Sequence, residues 1–281
     1  MNARLQLVDV FATGTLTGNP LAVVSGAEGL SETRMQTFAR WINFSETTFL
    51  LPPTHPDADY RVRIFTPGGE LDFAGHPTLG TCCAWLQAGG QPRDPGQIIQ
   101  ECGVGLVRLR READRLAFAA PAQNDAAVEP ALLENIRKAL GLKPAQIRAS
   151  RHLDNGTVWV GLMLDRADEV LALEPDQAAL KHLPKVGVIA PHANNDKGGG
   201  ADFEVRAFPV SVGIAEDPVT GSLNASLAQW LMREGLAPQH YTVAQGARLG
   251  RAGRLHIARE GAETWIGGRS VLLSQGELSL D

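Results

Sequence analysis

RIFTPGGELDFAGHPTLGTCCAWL, residues 63–86, reads as a strand, a Phe-Thr-Pro turn, a glycine-containing loop and then a helix. A second stretch, RAFPVSVGIAEDPVTGSLNASLAQWL (206–231), runs in the same order: strand, Phe, Pro, glycine-containing loop, Asp-Pro-x-x-Gly, and a helix ending in Trp-Leu. His76-Pro77 and Asp217-Pro218 stand about half the chain apart. Self-similarity at a fixed spacing marks a duplicated unit. We read two similar α/β halves with a pseudo-twofold axis and a cleft between them; two unrelated helix starts are the plainer alternative. The repeat is inexact, because the second helix reads four residues longer.

The flanking sequence fits this plan. LQLVDVF (5–11), LAVVS (21–25), TTFLLPP (47–53) and YRVRIFTP (60–67) read as strands by composition and alternation. SETRMQTFARWI (31–42) reads as a helix, with Ser31 as N-cap and Met35, Phe38, Ala39 and Ile42 on one face. Gly89-Gly90 stops the helix after GHPTLG. In the second half PALLENIRKALGL (130–142) and DQAALKHL read as helices, and TVWVGLML (157–164), VGVIAPH and DFEVRAFPV (202–210) as strands. NNDKGGG (194–200) reads as a flexible polar loop, and the tail is strand-rich.

A chain of 281 residues suits two domains of about 140. Its net charge of −5 and lack of a basic stripe argue against a nucleic-acid partner. RLRREADR (108–115), the Arg-richest stretch, carries two acids and suits a solvated strand and turn. Three cysteines, with Cys82 and Cys83 adjacent, do not form a disulfide framework. No signal-peptide pattern is present, and no apolar run nears the ~20 residues of a membrane span. We therefore expect a cytoplasmic protein.

Proline fits the first helical position, where its missing N–H has no partner to lose. On this basis His76 and Asp217 are expected at the two helix N-caps. Helix N-termini favour anions, here most naturally a carboxylate, and Gly75, Gly80 and Gly221 let backbone approach a ligand. Asp217 is equally read as a plain capping residue. His76 caps poorly, so a ligand-facing role suits it better; a His/Asp pair across a cleft can move protons near neutral pH. Glu46, in NFSETTFLL, stands between a turn and an apolar strand. A carboxylate carried toward an apolar interior has a raised pKa and is a better base or acid, while a surface turn glutamate is the other reading. Asn19, in GNPLAVV, either orients a ligand or makes the turn that Gly-Asn-Pro favours. The seven histidines never fall at metal-ligand spacing, so no metal is expected.

Five phrases in register resemble the phenazine-biosynthesis PhzF-like isomerase family, within the diaminopimelate epimerase-like superfamily. They are VDVFATGTLTGNPLAVV (8–24), NFSETTFLLPP (43–53), FTPGGELDFAGHPTLG (65–80), FPVSVGIAEDPVTGS (208–222) and QGARLGRAGRL (245–255). The resemblance implies an α+β protein of two pseudo-symmetric domains, each a mixed sheet wrapped around a central helix. By the same analogy the domains are 1–121, with the strands at 265–281, and 122–264, with a cofactor-free active site between them and a homodimeric assembly. In the family a glutamate takes a proton from carbon of trans-2,3-dihydro-3-hydroxyanthranilate and returns it elsewhere on the ring; Glu46 matches it. His76 and Asp217 match residues lining the site. Gly75, Gly221 and Ser222 match carboxylate-holding positions, and Asn19 matches an Asn near the substrate. Related epimerases and racemases use two cysteines at the helix starts. Here those positions hold His76 and Asp217, while Cys82 and Cys83 lie over a turn later and are expected in the core. The alternatives to an isomerase are an amino-acid epimerase or racemase, and a non-catalytic small-molecule binder on the same scaffold.

Overall fold

In the computed structural model, which describes residues 2–193 and 200–280, the chain divides into two units, Met1–Ala119 with Gly267–Asp281, and Ala120–Ile266. The polar loop expected at 194–200 lies, Gly200 apart, outside the described residues. The fold is α+β, and each unit packs its strands around one buried helix.

In the first unit, strand Asn2–Val10 pairs antiparallel with Asn19–Ser25 and with Ser270–Ser279. Asn19–Ser25 runs parallel to Thr47–Leu51, which is antiparallel to Tyr60–Thr66. Tyr60–Thr66 then runs parallel to Ile98–Cys102, whose hairpin partner is Gly105–Glu112. The second unit repeats this succession. Ile147–Asp154 is antiparallel to Val158–Leu164, which is parallel to Val186–Pro191, which is antiparallel to Phe203–Phe208. Phe203–Phe208 is parallel to His240–Gln245, whose hairpin partner is Gly253–Glu260. The same alternation of antiparallel and parallel neighbours, twice in one order, matches the duplication read from the two motif stretches.

The central helices, Gly75–Gln87 and Gly221–Arg233, have thirteen residues each. Residues Gly75 to Ala84 of the first are all buried, as are Gly221 to Ala228 of the second. A helix buried all round lies inside a core rather than on a surface. The first touches Asn2–Val10, Asn19–Ser25, Thr47–Leu51, Arg115–Ala119 and Ser270–Ser279. Its fit depends on Gly80, where a Cβ would stand 2.8 Å from Val10 Cγ2 and closer still to Leu21. In the second unit Gly187 plays the reciprocal part, leaving room on its strand for Leu223 of the helix.

Gly80→Ala therefore tests the packing. Helix propensity alone predicts a gain of about 1 kcal/mol, whereas overpacking against Val10 and Leu21 predicts a net loss of about 1–3 kcal/mol. We expect the loss, read as a lower urea midpoint; a raised midpoint would contradict the packing.

Outside the first sheet, helix Glu32–Ile42 is capped by Ser31, whose hydroxyl accepts from the Arg34 N–H at 3.3 Å. It ends at Asn43, which takes the left-handed conformation at φ 57°. Its Met35, Phe38 and Ala39 pack on Val24, Phe49, Leu51 and Phe65, as the 3.6-residue spacing implies. In the second unit helix Pro130–Ala139 packs Ile136 and Ala139 over Val160, Leu162 and Val188.

The helix starts differ from expectation. Ala74, extended at φ −151°, is the N-cap of the first central helix, so His76 is its second residue and Pro77 its third. A proline is tolerated there because the first four N–H groups of a helix lack intrahelical acceptors. The second central helix is capped by Thr220, which puts Asp217 and Pro218 in the loop before it. Four residues that seemed to lengthen that helix are thus loop, and Asp217 is not an N-cap.

Candidate active site

In the first unit three expected residues meet. Asn19 is the first residue of strand Asn19–Ser25, paired with Val10, rather than part of the preceding turn. That turn is held instead by the buried Asp9, whose carboxylate accepts from the Thr17 and Gly18 N–H groups, each at 2.9 Å. The Asn19 side chain is buried, with Nδ2 3.3 Å from His76 Nδ1. Glu46 immediately precedes strand Thr47–Leu51, which lies parallel to Asn19–Ser25. Its Oε2 is 3.5 Å from His76 Nε2. The His76 side chain is 3% exposed and that of Glu46 14%, so the carboxylate keeps a narrow opening to solvent while the imidazole has almost none. Gly75, beside His76, is buried at the helix start.

Burial pushes the His76 pKa down from 6.5 to about 3, because desolvation penalises the charged ring. At neutral pH the contact with Glu46 is therefore a neutral imidazole beside a carboxyl group, not an ion pair. A neutral ring has one N–H and one bare nitrogen. Nδ1 faces Asn19 and Nε2 faces Glu46, and which of the two carries the proton depends on the tautomer.

In the second unit Asp217 is held by its own backbone, with its N–H donating to Ala207 O at 3.0 Å. Its Oδ2 accepts from the Thr220 hydroxyl at 2.6 Å, and the residue is 7% exposed. Gly221 and Ser222 are the first two residues of the central helix. Neither central helix has a side-chain cap. Ser222 Oγ accepts from Trp159 Nε1 at 3.3 Å, and its carbonyl accepts from Asn155 Nδ2 at 3.0 Å. Asn155, Trp159 and Thr220 were not expected from sequence. A buried tryptophan needs an acceptor for its N–H, but nothing in TVWVGLML says where that acceptor lies. The second unit also holds a pair that sequence reading missed: His192 Nε2 lies 3.1 Å from Glu204 Oε2, and burial raises the Glu204 carboxyl to about 7.

The cysteines are free and Cys82 is fully buried. Burial raises the Cys82 thiol to about 12 and the Cys83 thiol to about 11. Thiols so disposed are poor bases and nucleophiles at neutral pH, and neither stands at a helix start. Among the described residues no three His, Cys, Asp or Glu side chains are grouped to hold a metal ion, and no helix is long and apolar enough to cross a membrane.

Relatives of matching length are named as isomerases, and this chain is an isomerase of that class. The chain belongs to the phenazine biosynthesis-like protein family, whose PhzC-PhzF model matches residues 8–276. It is 36% identical over 267 residues to the trans-2,3-dihydro-3-hydroxyanthranilate isomerase of Pseudomonas aeruginosa, covering 92% of this chain and 91% of that one. It is 35% identical over 262 residues to antisense-enhancing sequence 1 of Schizosaccharomyces pombe, covering 87% and 86% respectively. The solved structure of a Bacillus anthracis phenazine biosynthesis protein of the PhzF family shares the fold, with a TM-score of 0.83 over 100% of both chains at 22% identity.

Proposed function

We propose that this isomerase moves a proton between carbons of a small carboxylate-bearing molecule of the trans-2,3-dihydro-3-hydroxyanthranilate type, with Glu46 as base and then acid. The observation that carries it is the mostly buried Glu46 carboxyl 3.5 Å from the neutral, buried His76 ring. A cationic partner would hold a carboxylate ionised and lower its basicity. A neutral imidazole lets Glu46 take a proton and return it. The neutral ring of His76 stays beside the carboxyl group through the cycle, while Asn19, 3.3 Å from Nδ1, keeps the ring in place.

Removing a proton from carbon leaves negative charge on the substrate. Fixed N–H dipoles stabilise such charge without reorganising. Gly75 with His76, and Gly221 with Ser222, are helix-start residues suited to bind a carboxylate or developing anion. In the same proposal Asp217 is a second acid–base group, the protein is a cytoplasmic homodimer, and no cofactor takes part. A two-thiol epimerase mechanism is disfavoured by the burial of Cys82 and Cys83.

The test is incubation of the full chain with trans-2,3-dihydro-3-hydroxyanthranilate and, separately, with free amino acids including proline, followed by NMR. We expect isomerisation of the ring compound and no inversion of an amino acid. Inversion at an α-carbon would place the enzyme with the epimerases, and binding without conversion of any compound would favour the non-catalytic binder.

A further inference from the structure

The phrase QGARLG (245–250) has no part in the proton transfer proposed above, yet its first residue is among the most fully bonded side chains of the second unit. Gln245 is 2% exposed at the end of strand His240–Gln245. Its Oε1 accepts from the Thr220 N–H and from Asn224 Nδ2, each at 3.0 Å. Its Nε2 donates to the Asp217 carbonyl at 3.1 Å and to Thr220 Oγ1 at 2.9 Å. An amide has two acceptor sites and two N–H donors, and all four are used. Turning the amide over would set donors against donors at Thr220 N and Asn224, so its orientation is fixed.

The consequence passes to Asp217. Thr220 Oγ1 receives a proton from Gln245 Nε2, so its own single proton goes to Asp217 Oδ2, at 2.6 Å. One side chain thus holds the Asp217 main chain directly and its carboxyl through one hydroxyl. The backbone is shaped for this. Gly246, at φ +98°, passes beneath the Asp217 loop, and a Cβ there would stand 2.7 Å from Pro218 O.

The first unit has a counterpart that shows what is particular here. Gln100, on the corresponding strand Ile98–Cys102, donates through Nε2 to Thr78 Oγ1 at 3.0 Å and accepts from Tyr60 OH at 3.2 Å. Thr78 passes its proton to the Ala74 carbonyl at 2.9 Å, a plain helix-start contact. Each unit therefore clamps a helix-start threonine with a glutamine from the same place in its sheet. Of these two clamps, only that of the second unit ends on an acid.

We propose that Gln245 is the positioning residue that aims the Asp217 carboxyl, so that its removal impairs turnover without touching substrate. For turnover this rests on the reading of Asp217 as an acid–base group; for geometry it stands alone. The test therefore has two arms, on wild type, Gln245→Leu, Thr220→Val and a core control, Ile136→Val. In the first arm, NMR follows the exchange of the Thr220 amide in the wild type and Gln245→Leu, and the pH titration of the Asp217 carboxyl carbon in all four proteins. Gln245→Leu should speed the amide exchange, and both it and Thr220→Val should displace the titration midpoint, while Ile136→Val leaves it in place. In the second arm, kcat for the ring compound should fall roughly 10- to 100-fold in Gln245→Leu and Thr220→Val, the scale expected of a misplaced reacting group, with a much smaller change in KM. An unmoved Asp217 titration in folded Gln245→Leu overturns the proposal whether or not the ring compound is a substrate; if that variant does not fold, Thr220→Val decides in the same way. A kcat loss matched by Ile136→Val at equal thermal stability overturns it as well. A moved titration with no turnover by the wild type upholds the positioning and refutes the function proposed for the site.

Discussion

Glu46→Gln is expected to lower kcat/KM by roughly 10³-fold or more, within the range general acid–base groups contribute, while the dissociation constant of a substrate-like carboxylate changes by less than about tenfold. Glutamine has nearly the shape of glutamate and still offers an oxygen toward His76 Nε2, 3.5 Å from the present carboxylate oxygen. It cannot accept a proton from carbon. The substitution thus separates chemistry from architecture. The variant adds no charge to the buried site, so the fold should keep its thermal stability. Steady-state kinetics with calorimetric titration of a non-reacting carboxylate makes the comparison. Turnover within tenfold of the wild type would remove Glu46 from the proton-transfer step; weak binding with normal turnover would make it a substrate contact only.

The second large effect is an acid instability set by His76. Its pKa falls from 6.5 in the unfolded chain to about 3 in the folded protein. Between those values the unfolded chain binds the proton and the folded protein does not, so protons favour unfolding. Stability is full above about pH 6.5, declines as pH falls through the window, and stops declining below about pH 3. At pH 4 the loss from this one ring amounts to about 3 kcal/mol, because each pH step of one within the window costs about 1.4 kcal/mol. His76→Asn removes the titrating group and should flatten the decline by that amount, read from urea midpoints at pH 7.5, 5.5 and 4. Equal slopes in the two proteins would mean that the folded ring titrates as the unfolded one does, and the depressed pKa of the buried His76 would be refuted.

Much of this architecture is legible in the chain because local signals and burial agree. Ser31 and the Met35, Phe38, Ala39 face marked their helix, since a cap and a 3.6-residue stripe are local properties. The repeated Phe-Pro, Gly and Trp-Leu phrases marked the two central helices, and the structure returns the same strand succession around each. The helix starts were misread for a non-local reason. Asp-Pro before Thr-Gly is a good local cap signal, but Gln245, distant in sequence, bonds the Asp217 carbonyl and the Thr220 N–H and draws the loop away from the helix. No window around EDPVTGS contains that information. The grouping of Asn19, Glu46 and His76 was equally hidden from local pattern, since three separate elements carry them; it came from resemblance. The cysteines were legible, because Cys82 and Cys83 follow the helix start by more than a turn on a helix buried all round.

The central claim is that the protein breaks and remakes a bond between carbon and hydrogen through Glu46. The most direct measurement is the reaction of the full chain with trans-2,3-dihydro-3-hydroxyanthranilate in D₂O, with Glu46→Gln run beside it and carbon-bound protons followed by NMR. We predict partial or complete deuterium at the carbon that gains a proton with the wild type, and none with Glu46→Gln. Conversion that continues in Glu46→Gln, or a wild-type protein that leaves every carbon-bound proton of the ring compound in place, would contradict it.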